Sequence, residues 1–574
     1  ENGANTSFVH RIEDPEVPLE AIAADPVAKV AAMDSYRHPD IPLPRNLYGA
    51  ARKNSAGINF HDRLELSGVA ESMERAAAHT WEAAPLVGGR RLDGEVREVT
   101  HPADRGQVVG RVTEGDEAVV EQAVTRAAAA APGWDRTPAT QRADILCRAA
   151  DLLEEHRAEL MQLVVREGGR LVSDALSEVR EAADFCRYYA QQARERFAEP
   201  LILPGPTGEA NQLSLHGRGV FACISPWNFP IAIFTGQIAA ALAAGNAVVA
   251  KPAGQTPLVA MRSIELLHEA GVPPEVLHFV PGGGRRVGGT LVADPRINGV
   301  VFTGSVATAR AINRSLAERD GPIIPFIAET GGQNAMIVES SALAEQAVPD
   351  MIFSAFNSAG QRCSALRVAF IQEDVAPRVI GMLKGAMMEL NIGDPALLRT
   401  DVGPVIDEAA RQGLEAHIRR MTQEGRLLYE APLPEGADKG TFLGPRVFEI
   451  DSLDQLHKEE FGPILHVIRF QRHRLDAVID AVCQTGYGLT LGIHSRIDET
   501  ADYIRERLGV GNTYVNRNMI GAVVGVHPFG GERLSGTGPK AGGPHYLNRF
   551  AIERSTSVNI AAVGGNAQLL SLEE

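Results

Sequence analysis

The central part of the chain alternates short apolar runs with longer stretches of helical spacing. The apolar runs occupy residues 220–224, 247–250, 277–280 and 300–302. The helical stretches occupy residues 231–244, 259–270 and 285–294. Continuous apolar runs of this length are typical of parallel strands that are buried on both faces. Short turns between such strands and helices imply right-handed crossovers, so the pattern predicts an α/β fold with a doubly wound sheet.

Longer amphipathic segments precede this region. Their spacing predicts helices over residues 117–131, 139–167 and 171–197, with a break at Gly168-Gly169. Before them, Gly-Gly and Asp-Gly turns separate short apolar runs between residues 86 and 112, which predicts a hairpin-rich edge. Residues 1–60 are rich in Pro and short polar breaks, and they predict an extended arm with one or two short helices.

The charge balance argues against two classes of partner. The 574 residues include 56 Lys and Arg against 72 Asp and Glu, a formal net charge of −16. Binding to nucleic acid or to an anionic membrane needs clustered cations, so we expect neither. The stretch between Arg218 and Lys251 carries no formal charge and is the candidate membrane span. Polar and helix-breaking residues interrupt it, which favours a buried strand, loop, helix and strand over a membrane span: Pro226, Asn228, Pro230, Gln237, Gly245 and Asn246.

The five cysteines are odd in number, widely spread and without metal-ligand spacing. This usage predicts a reduced, cytoplasmic protein without a structural zinc or other metal site. Burial as small apolar side chains is expected for four of them: Cys147, Cys186, Cys223 and Cys483. The first residue is Glu and no signal peptide follows, so the start resembles a cut in a longer chain.

Cys363 is the candidate nucleophile. It lies in Gly360-Gln361-Arg362-Cys363-Ser364, beside a fixed positive charge that favours a thiolate. Glu329, 34 positions upstream, lies in a glycine-flanked segment and is a candidate base for activating water. Together the two residues predict covalent catalysis at a cysteine.

Two turns after apolar runs are candidate phosphate sites. Residues 282–288 have the spacing G-x-G-x-x-x-G, which differs from the dinucleotide fingerprint and is equally compatible with tight packing. Thr303-Gly304-Ser305 follows the next run, where hydroxyl and amide groups at a helix start suit a phosphate. Two such turns in neighbouring positions favour a dinucleotide.

Several motifs together resemble the aldehyde dehydrogenase superfamily, over about residues 60 to 550. They occur in the family's order at residues 225–230, 251–252, 302–305, 329–332, 360–363, 459–463 and 528–531. Within the superfamily the chain resembles the L-glutamate γ-semialdehyde dehydrogenase half of the bifunctional proline utilisation enzymes. The segments that match that half best are residues 356–359, 516–522 and 535–544. Residues 1–12 resemble the end of the proline dehydrogenase barrel, which is itself absent, so no FAD is expected on this chain.

The resemblance implies an aldehyde dehydrogenase fold with a Rossmann-like NAD-binding domain, an α/β catalytic domain and a small β oligomerisation element. After the arm of residues 1–60, the NAD-binding domain would comprise residues 61–210 and 223–331, and the catalytic domain residues 332–515. Residues 211–222 and 525–574 would form the oligomerisation hairpin and C-terminal segment. We expect the alternating run near 211–219 and the segment after Gly531 to pair with another subunit of a homo-oligomer, most simply a dimer.

The resemblance also assigns catalytic roles. Cys363 would attack the aldehyde carbon, and the Asn228 side chain with the Cys363 backbone N–H would hold the oxyanion. After hydride transfer to NAD, Glu329 would activate water to hydrolyse the thioester and release glutamate. The bland alternative for Asn228 is the capping of a turn.

Cofactor contacts are likewise implied by resemblance. Lys251 would bind the adenosine ribose, where the alternative is a lysine that reaches the surface, and Glu459 would bind the nicotinamide ribose with Phe461 nearby. Gly254 stands where a family glutamate contacts the adenosine ribose, which leaves tolerance of NADP open. The other implied cofactor residues are Ile224, Ser225, Pro226, Trp227, Gly284, Gly288, Thr303, Gly304, Ser305, Glu329, Thr330 and Gly331.

Substrate contacts follow from the semialdehyde's remote carboxylate and ammonium. By resemblance, Ser364, Gly521 and Ala522 hold the carboxylate, and Phe529 packs on the methylenes. Arg362 attracts the carboxylate, and Glu181 lies near the ammonium. A plain turn at 521–522 and a solvent-facing position for Glu181 are the structural alternatives.

Other functions remain open at this point. The chain could oxidise another aldehyde, could be an idle scaffold for channelling or assembly, or could transfer its acyl group to coenzyme A. Intact Cys363, Glu329 and Asn228 disfavour an idle scaffold, and Glu329 disfavours thiolysis because thiolysis needs no water-activating carboxylate. A proline dehydrogenase domain or protein is the expected partner for channelling.

Overall fold

The computed structural model describes residues 8–38, 40–206 and 208–560. The chain divides into two compact units, residues 1–54 and 55–574. In its described residues the first unit has three short α-helices and one 3₁₀ turn (Pro44–Asn46), more than the one or two short helices predicted for the arm. The α-helices are α1 (Phe8–Glu13), α2 (Leu19–Ile22) and α3 (Pro26–Ala31).

A seven-stranded sheet forms the centre of the second unit's first half. Its order is β12-β11-β8-β9-β10-β2-β3, and the strands from β12 to β10 are parallel. These strands are β2 (Leu86–Val87), β3 (Arg90–Arg91), β8 (Val220–Ile224), β9 (Ala247–Lys251), β10 (Leu277–Phe279), β11 (Ile297–Thr303) and β12 (Phe326–Glu329). The four apolar runs therefore form buried parallel strands, as predicted. Residues 220–222, which we had placed with the oligomerisation hairpin, lie in β8 of this sheet.

Helices surround this sheet. They are α4 (Arg63–Ala77), α5 (Glu117–Arg136), α6 (Ala139–Glu155), α7 (Arg157–Gly168), α8 (Val172–Arg196), α9 (Ala232–Ala243), α10 (Pro257–Glu269), α11 (Gly289–Ala293) and α12 (Val306–Ala317). The charge-free stretch after Arg218 is β8, α9 and β9, which confirms the strand, helix and strand prediction. No helix in the described ranges is long and apolar enough to cross a membrane.

The prediction of one helix over 139–167 is wrong. His156, at φ −91° and ψ 15°, ends α6, and α7 begins at the next residue. Its ring nitrogen lies 3.2 Å from a carboxylate oxygen of Glu159, in the first turn of α7. The break after α7 is confirmed, because Gly169 has φ +65° and ends that helix in the left-handed region. The helix predicted over 285–294 is shorter than expected, since a wide turn occupies residues 284–288 before α11.

A second seven-stranded sheet carries the other half, in the order β15-β16-β17-β14-β13-β18-β19. Its strands are β13 (Ala335–Val338), β14 (Val368–Gln372), β15 (Arg426–Glu430), β16 (Arg446–Glu449), β17 (Ile464–Phe470), β18 (Thr490–His494) and β19 (Asn512–Val515). The helices are α13 (Ala344–Phe356), α14 (Ala376–Met388), α15 (Glu408–Glu424), α16 (Leu475–Gln484) and α17 (Asp498–Arg507). Each large sheet has its own apolar core. The unit thus consists of two layered α/β halves.

Two small sheets complete the described chain. One has the order β1-β5-β4 and the other β20-β7-β6. Their strands are β1 (Trp81–Ala83), β4 (Glu95–His101), β5 (Asp104–Glu114), β6 (Leu201–Leu203), β7 (Glu209–Gly217) and β20 (Ala551–Asn559). The hairpins β2–β3 and β4–β5 confirm the predicted hairpin-rich edge.

The strand around residues 211–219 already has partners in its own chain. Antiparallel β7 pairs with β20 from Gly217↔Ala551 to Glu209↔Asn559, and its other edge pairs with β6. Contact with a second subunit would therefore involve the outer strands β6 and β20 rather than free edges of β7. Residues 561–574 of the predicted C-terminal segment lie outside the described residues.

Candidate active site

An unusual turn carries Cys363. Ser358 and Ala359 have φ +55° and +54°, a region that non-glycine residues rarely occupy, and Gly360 follows at +67°. A Cβ on Gly360 would lie 2.2 Å from the carbonyl oxygen of Gly462, so only glycine fits. This turn ends α13 and leads the chain past Cys363 toward β14. Cys363 therefore lies in a loop with a strained backbone rather than in a helix or a strand.

Many of the predicted site residues surround a single cavity. They are Cys363, Glu329, Glu181, Arg362, Ser364, Gly521, Ala522, Phe529, Thr303 and Thr330. The catalytic and substrate sets were predicted from separate motifs, spread over more than 300 positions. Asn228 is the exception among these two sets, and it lies behind the cysteine loop.

The resting thiol of Cys363 differs from the expectation of a favoured thiolate. Burial is the main cause that raises the pKa of Cys363 to about 12, and the carboxylates of Glu459 and Glu329 add to it. The cations of Arg362 and Arg367 act in the opposite direction but do not prevail. A base must therefore remove the thiol proton before attack.

Arg362 has another charge partner. Its guanidinium donates to Asp174 at 2.8 Å and, through Nε, to the Ser358 hydroxyl at 3.3 Å. Asp174 also accepts from the Ser358 hydroxyl at 2.6 Å. Burial alone would raise the pKa of Asp174, but the charges of Arg362 and Arg170 and the Ser358 bond outweigh it, so this pKa is lowered. The guanidinium lies 5.2 Å from the centre of the Phe229 ring. Arg362 is thus fixed at the cavity wall by Asp174, which reduces its effect on the thiol.

Glu329 ends β12 at the cavity. Its Oε2 accepts a hydrogen bond from the Gly531 backbone at 3.1 Å, while no described residue donates to the buried Oε1. Burial raises the pKa of Glu329 to about 8, against the smaller opposing effects of the Gly531 bond and Lys540. A carboxyl that titrates near neutral pH, with one free oxygen facing a cavity, is suited to general base catalysis.

The Asn228 side chain lies at the cysteine loop. It is 6% exposed, and its Nδ2 donates to the carbonyl oxygen of Gln361 at 3.1 Å. An amide nitrogen has two N–H groups, so this bond leaves one for another acceptor. The Asn228 carbonyl accepts from buried Arg170. Asn228 therefore links two elements next to the nucleophile and does more than cap a local turn.

The solvent-facing alternative for Glu181 is wrong. This residue lines the cavity from α8, and burial with the nearby Glu178 raises the pKa of Glu181 to about 8. Glu178 accepts from the backbone of Ile231 at 3.2 Å, and burial raises its pKa to about 7. Arg170, also fully buried, lies 3.9 Å from Glu178 and 4.7 Å from the centre of the Phe229 ring. One face of α8 thus supplies a group of buried charges beneath the cavity.

Lys251 is buried, so the surface-reaching alternative is wrong. It is 5% exposed at the end of β9, and Nζ donates to the Pro252 carbonyl at 2.8 Å. Burial lowers the pKa of Lys251 to about 8, with Glu114 opposing the shift. Gly288 lies beside Lys251, since a Cβ at this position would be in ordinary van der Waals contact with the lysine side chain at 3.4 Å.

A second cavity is lined by Gly254 and Gly284. A Cβ on either glycine would meet no atom within 4 Å, so both leave open space there. Arg97 from β4 donates to the Gly254 carbonyl at 2.6 Å and to Glu114 at 3.1 Å. The same cavity is lined by the carboxylates of Glu98, Glu114, Glu167 and Asp407. Its charged lining is therefore mainly acidic.

Trp227, Phe461 and Glu459 come together on the other side of the cysteine loop. The two rings meet edge to face with centres 5.6 Å apart. Glu459 accepts from Arg367 at 3.2 Å, and a Cβ on Gly331 would lie 1.6 Å from its carboxylate. Gly331 is therefore required by the close approach of Glu459.

The remaining predicted cofactor residues have structural contacts of their own. Ile224 pairs with Lys251 across β8 and β9, and the Ser225 hydroxyl donates to Gln237 at 2.8 Å. Gln237 in turn donates to Thr303 at 3.0 Å. The Ser305 hydroxyl accepts from Thr308 and caps α12, with Gly304 before it, and Thr330 bonds the Leu534 carbonyl. Pro226 is partly exposed next to Trp227.

Sequence reasoning missed the residues that hold the site from behind. Asp174, Arg170 and Arg367 are all buried charged residues, and each has at least one partner far away in sequence: Arg362, Asn228 and Glu459 respectively. An acidic residue recurring at i, i+4 and i+7 along α8, as at 174, 178 and 181, was the one available signal. Tyr189 and Tyr546, which stack with centres 5.7 Å apart, complete the cavity wall.

The other cysteines differ in burial. Cys186 and Cys223 are fully buried, as predicted, whereas Cys147 and Cys483 are partly exposed, contrary to prediction. Cys147 lies 3.7 Å from Arg194 at the surface of α6. Within the described residues, no group of three or more His, Cys, Asp or Glu is arranged to hold a metal ion.

The site combines a strained cysteine loop with a buried carboxyl in the same cavity, in a unit of two α/β halves, and this combination suits covalent catalysis at a cysteine. The sequence profile of the Aldehyde dehydrogenase family matches residues 91–555. The chain belongs to the aldehyde dehydrogenase family.

Relatives within the family support a narrower comparison. The chain is 50% identical to "Bifunctional protein PutA" of Klebsiella aerogenes over 96% of its own length, and it spans 42% of that protein's length. It is 38% identical to the 1-pyrroline-5-carboxylate dehydrogenase of Geobacillus thermodenitrificans, over 83% of this chain and 93% of the relative. A crystal structure of 1-pyrroline-5-carboxylate dehydrogenase from Thermus with bound NAD superposes with a TM-score of 0.84 at 32% identity, covering 88% of this chain and 99% of the other.

Proposed function

We propose that this protein oxidises L-glutamate γ-semialdehyde, the open form of 1-pyrroline-5-carboxylate, to L-glutamate with NAD. The observation that carries the proposal is the single cavity that joins Cys363 and Glu329 to Glu181, Arg362 and Ser364. A thiol, a titratable base and groups for both ends of an amino acid then lie in one space. The relatives named 1-pyrroline-5-carboxylate dehydrogenase support the same substrate.

The first chemical step belongs to Cys363. Because burial raises the pKa of this thiol, Glu329 in its ionised form takes the proton as the sulfur attacks the aldehyde carbon. The oxyanion that forms is held by the free N–H of the Asn228 amide and by the Cys363 backbone N–H. NAD, when bound, supplies the hydride acceptor that converts this adduct to a thioester.

The second step releases the acyl group. Glu329 first gives up the thiol proton to solvent and then takes a proton from the water that attacks the thioester carbonyl. It passes this second proton to the sulfur, so Cys363 leaves as the thiol and the product carboxyl ionises to glutamate. The Gly531 backbone fixes one oxygen of Glu329, so the other can face the reacting water. Coenzyme-A transfer is disfavoured because thiolysis would leave this positioned base without a role, and consumption of added coenzyme A would reveal it.

The cavity's polar groups suit a substrate with a remote carboxylate and ammonium. Ser364 and the turn at Gly521 and Ala522 lie at the end that we assign to the carboxylate, where Gly521 has φ +82°. Glu181 is a buried acid for which an ammonium would supply the missing counter-charge. Phe529 provides an apolar wall for the methylenes between them.

The described residues fit a dinucleotide. Glu459 with Trp227 and Phe461 would hold the nicotinamide ribose end, and Lys251 the adenosine ribose. Gly254 and Gly284 leave the open space that an adenosine portion needs. Ser305 at the start of α12, where backbone N–H groups and the helix dipole favour anions, would hold a phosphate.

The second cavity favours NAD over NADP, although Gly254 lacks the family's carboxylate. Glu114 lies close enough to Lys251 to affect its pKa, and it also pairs with Arg97 beside Gly254. Glu98 and Asp407 add further carboxylates around the same space. These acids would repel the 2′-phosphate of NADP. Glu114 of β5 would therefore discriminate against NADP in place of the family glutamate that Gly254 lacks.

Substrate preference tests the proposed activity. NADH formation is measured with glutamate semialdehyde against acetaldehyde, succinic semialdehyde and an uncharged aldehyde of similar length. We expect the largest kcat/KM for the amino-acid aldehyde. Equal kcat/KM values would overturn the substrate assignment and leave an aldehyde dehydrogenase for another substrate, whereas no NADH with any aldehyde would support an idle scaffold.

Assembly is a further part of the proposal. The outer strands of the small sheet expose apolar side chains, with Leu201 62% and Ile202 72% exposed on β6 and Ile552 41% exposed on β20. Such edges suit pairing with a second copy in a homo-oligomer, probed by light scattering during gel filtration. The resemblance to proline utilisation enzymes supports a proline dehydrogenase domain or protein as channelling partner. A cytoplasmic location and the domain assignments stay predictions.

A further inference from the structure

Arg367 is a buried arginine between the cysteine loop and Glu459. It is 3% exposed and follows Cys363 by four residues, just before β14. Its Nη1 donates to the Gly360 carbonyl at 2.7 Å, and its Nη2 donates to the Arg362 carbonyl at 3.0 Å. The same Nη2 lies 3.2 Å from a carboxylate oxygen of Glu459. One guanidinium thus touches the backbone on the N-terminal side of the nucleophile and an acidic side chain of the cofactor face.

The geometry needs the planar fork of arginine. Nη1 also donates to the Gly462 carbonyl at 3.4 Å, so two neighbouring nitrogens bond four acceptors. The single ammonium of lysine cannot match these bonds at the same distances. The guanidinium also lies 5.1 Å from the centre of the Phe461 ring, which packs against Trp227. Arg367 therefore contacts the loop and two residues that we assign to the nicotinamide end.

The backbone of Arg367 is itself fixed. Its N–H donates to the Asn334 carbonyl at 3.0 Å, and its carbonyl accepts from the His466 backbone at 2.9 Å, with the His466 ring nitrogen 3.1 Å away. The Asn334 side chain donates to the carbonyls of Cys363 at 2.6 Å and Ala365 at 2.9 Å. The carbonyls before and after the nucleophile are thus held by Arg367 and Asn334 respectively.

Electrostatics give this contact a second effect. Glu459 is one of the two carboxylates that raise the pKa of Cys363, and Arg367 is one of the two cations that lower it. Burial raises the pKa of Glu459, and the charge of Arg367 opposes that rise. Arg367 therefore limits the rise in the pKa of Glu459 and offsets the effect of Glu459 on the pKa of Cys363.

We propose that Arg367 is a positioning residue that couples the cofactor carboxylate Glu459 to the loop carrying Cys363. The proposal rests on the proposed function, in which Glu459 binds the nicotinamide ribose. Because Arg367 bonds both Glu459 and the loop carbonyls, the position of Glu459 and the reactivity of the Cys363 thiol change together. Neither residue then acts independently of the other.

The test compares Arg367→Lys with Arg142→Lys. Arg142 is also 3% exposed and donates to the backbone carbonyls of Ala243 and Asp135, away from the cavity. Three quantities are measured for each variant: the melting temperature, the rate of Cys363 alkylation by iodoacetamide without cofactor, and the dissociation constant for NAD by calorimetry. Steady-state kcat and KM for NAD complete the set.

Both variants are expected to lower the melting temperature. Only Arg367→Lys should slow alkylation and weaken NAD binding, each by about fivefold or more, as for residues in one network. In the Glu459→Gln background, the same substitution should weaken NAD binding by less than about twofold, because the coupling has already been removed.

Two results would overturn the proposal. One is an Arg367→Lys enzyme that matches Arg142→Lys in alkylation and NAD affinity, which would make Arg367 only a stabilising residue. The other is full additivity of the Arg367 and Glu459 substitutions. Failure of the proposed function is distinguishable, because the unsubstituted enzyme would then form no NADH from glutamate semialdehyde, whatever the alkylation rates.

Discussion

At the scale of single residues, the site consists of groups whose charge states are shifted by burial. Cys363 has a raised pKa, Glu329 and Glu181 titrate near 8, and Lys251 also titrates near 8. At pH 7 the two glutamates are mainly protonated, whereas an ordinary glutamate is ionised, and shifted pKa values of this kind are typical of catalytic sites. The chemistry therefore depends on proton transfers between neighbours rather than on a permanently ionised thiol.

Cys363→Ser tests the nucleophile. We expect NADH formation to fall by about 10⁴- to 10⁶-fold, because a hydroxyl replaces the atom that forms the adduct. NAD binding and the melting temperature should stay close to those of the unsubstituted protein, since the side chain is nearly isosteric. A variant that kept full activity would exclude the covalent mechanism.

Glu329→Gln tests the base. Steady-state turnover should fall by about 10²- to 10⁴-fold, the usual contribution of a general base. In the unsubstituted enzyme, kcat should rise with pH from 7 to 9, because the base acts only when deprotonated and its pKa is about 8. The measurement is kcat against pH, and a rise that persisted in the Gln variant would assign the titration to another group.

At the scale of elements, hairpin β4–β5 and helix α8 add charged side chains that lie outside the sequence motifs. Arg97 and Glu114 come from the hairpin, and Asp174, Glu178 and Glu181 from one face of α8. Neither element carries a motif of the family resemblance. Each nevertheless lines a cavity with charged residues, Arg97 and Glu114 from the hairpin and Glu181 from α8, to which we assign recognition of a ligand's charge.

Glu114→Gln tests the hairpin's part in cofactor choice. Removal of this carboxylate frees Arg97 and reduces repulsion of a 2′-phosphate, so kcat/KM for NADP should rise by about tenfold relative to NAD. Gly254→Glu should act in the opposite direction, because open space at this position accepts a side chain. Dissociation constants for both dinucleotides check the change, and an unaltered ratio in both variants would exclude Glu114 as the discriminating acid.

The sequence predicted the regular parts of the fold and the named motif residues. Continuous apolar runs determined β8, β9, β10 and β11, because strands buried on both faces leave no other pattern. The break at His156 was missed because nothing in its neighbourhood signals a turn. The contacts of Arg362 with Asp174, 188 positions apart, were also missed, since spacing along the chain does not encode such long-range pairing.

At the scale of the whole molecule, buried carboxyls dominate the charge response near neutral pH. The pKa values of Glu167, Glu181 and Glu329 are about 8 and that of Glu178 about 7, all raised by burial. Four buried histidines have pKa values lowered to between about 3 and 4: His278, His417, His466 and His494. They change the free energy of unfolding mainly between these values and the ordinary value of 6.5, and this interval lies below the range from pH 6.5 to 8. The carboxyls are left as the main titrating groups between pH 6.5 and 8.

Stability should fall as pH rises through this window. A carboxyl with a raised folded pKa keeps its proton where the unfolded chain has lost it, so the folded state binds more protons. Higher pH then favours unfolding, and the melting temperature should decrease from pH 6.5 to 8. Glu167, near the end of α7, accepts from the first backbone N–H groups of α10, and Glu167→Gln removes its titration. The substitution should flatten the slope, and an unchanged slope would contradict the prediction.

The pairing of β7 with β20 has a consequence for how the protein is made. Gly217 and Ala551 are neighbours across the small sheet but are separated by 334 residues of chain. At ordinary ribosomal rates, the earlier strand waits about 17 to 67 s for its partner. Glu329 likewise waits for Gly531, so a nascent chain has its nucleophile and its base before it has the backbone that aims the base. The general base is therefore aimed only once the chain has been made as far as Gly531, 202 residues after Glu329.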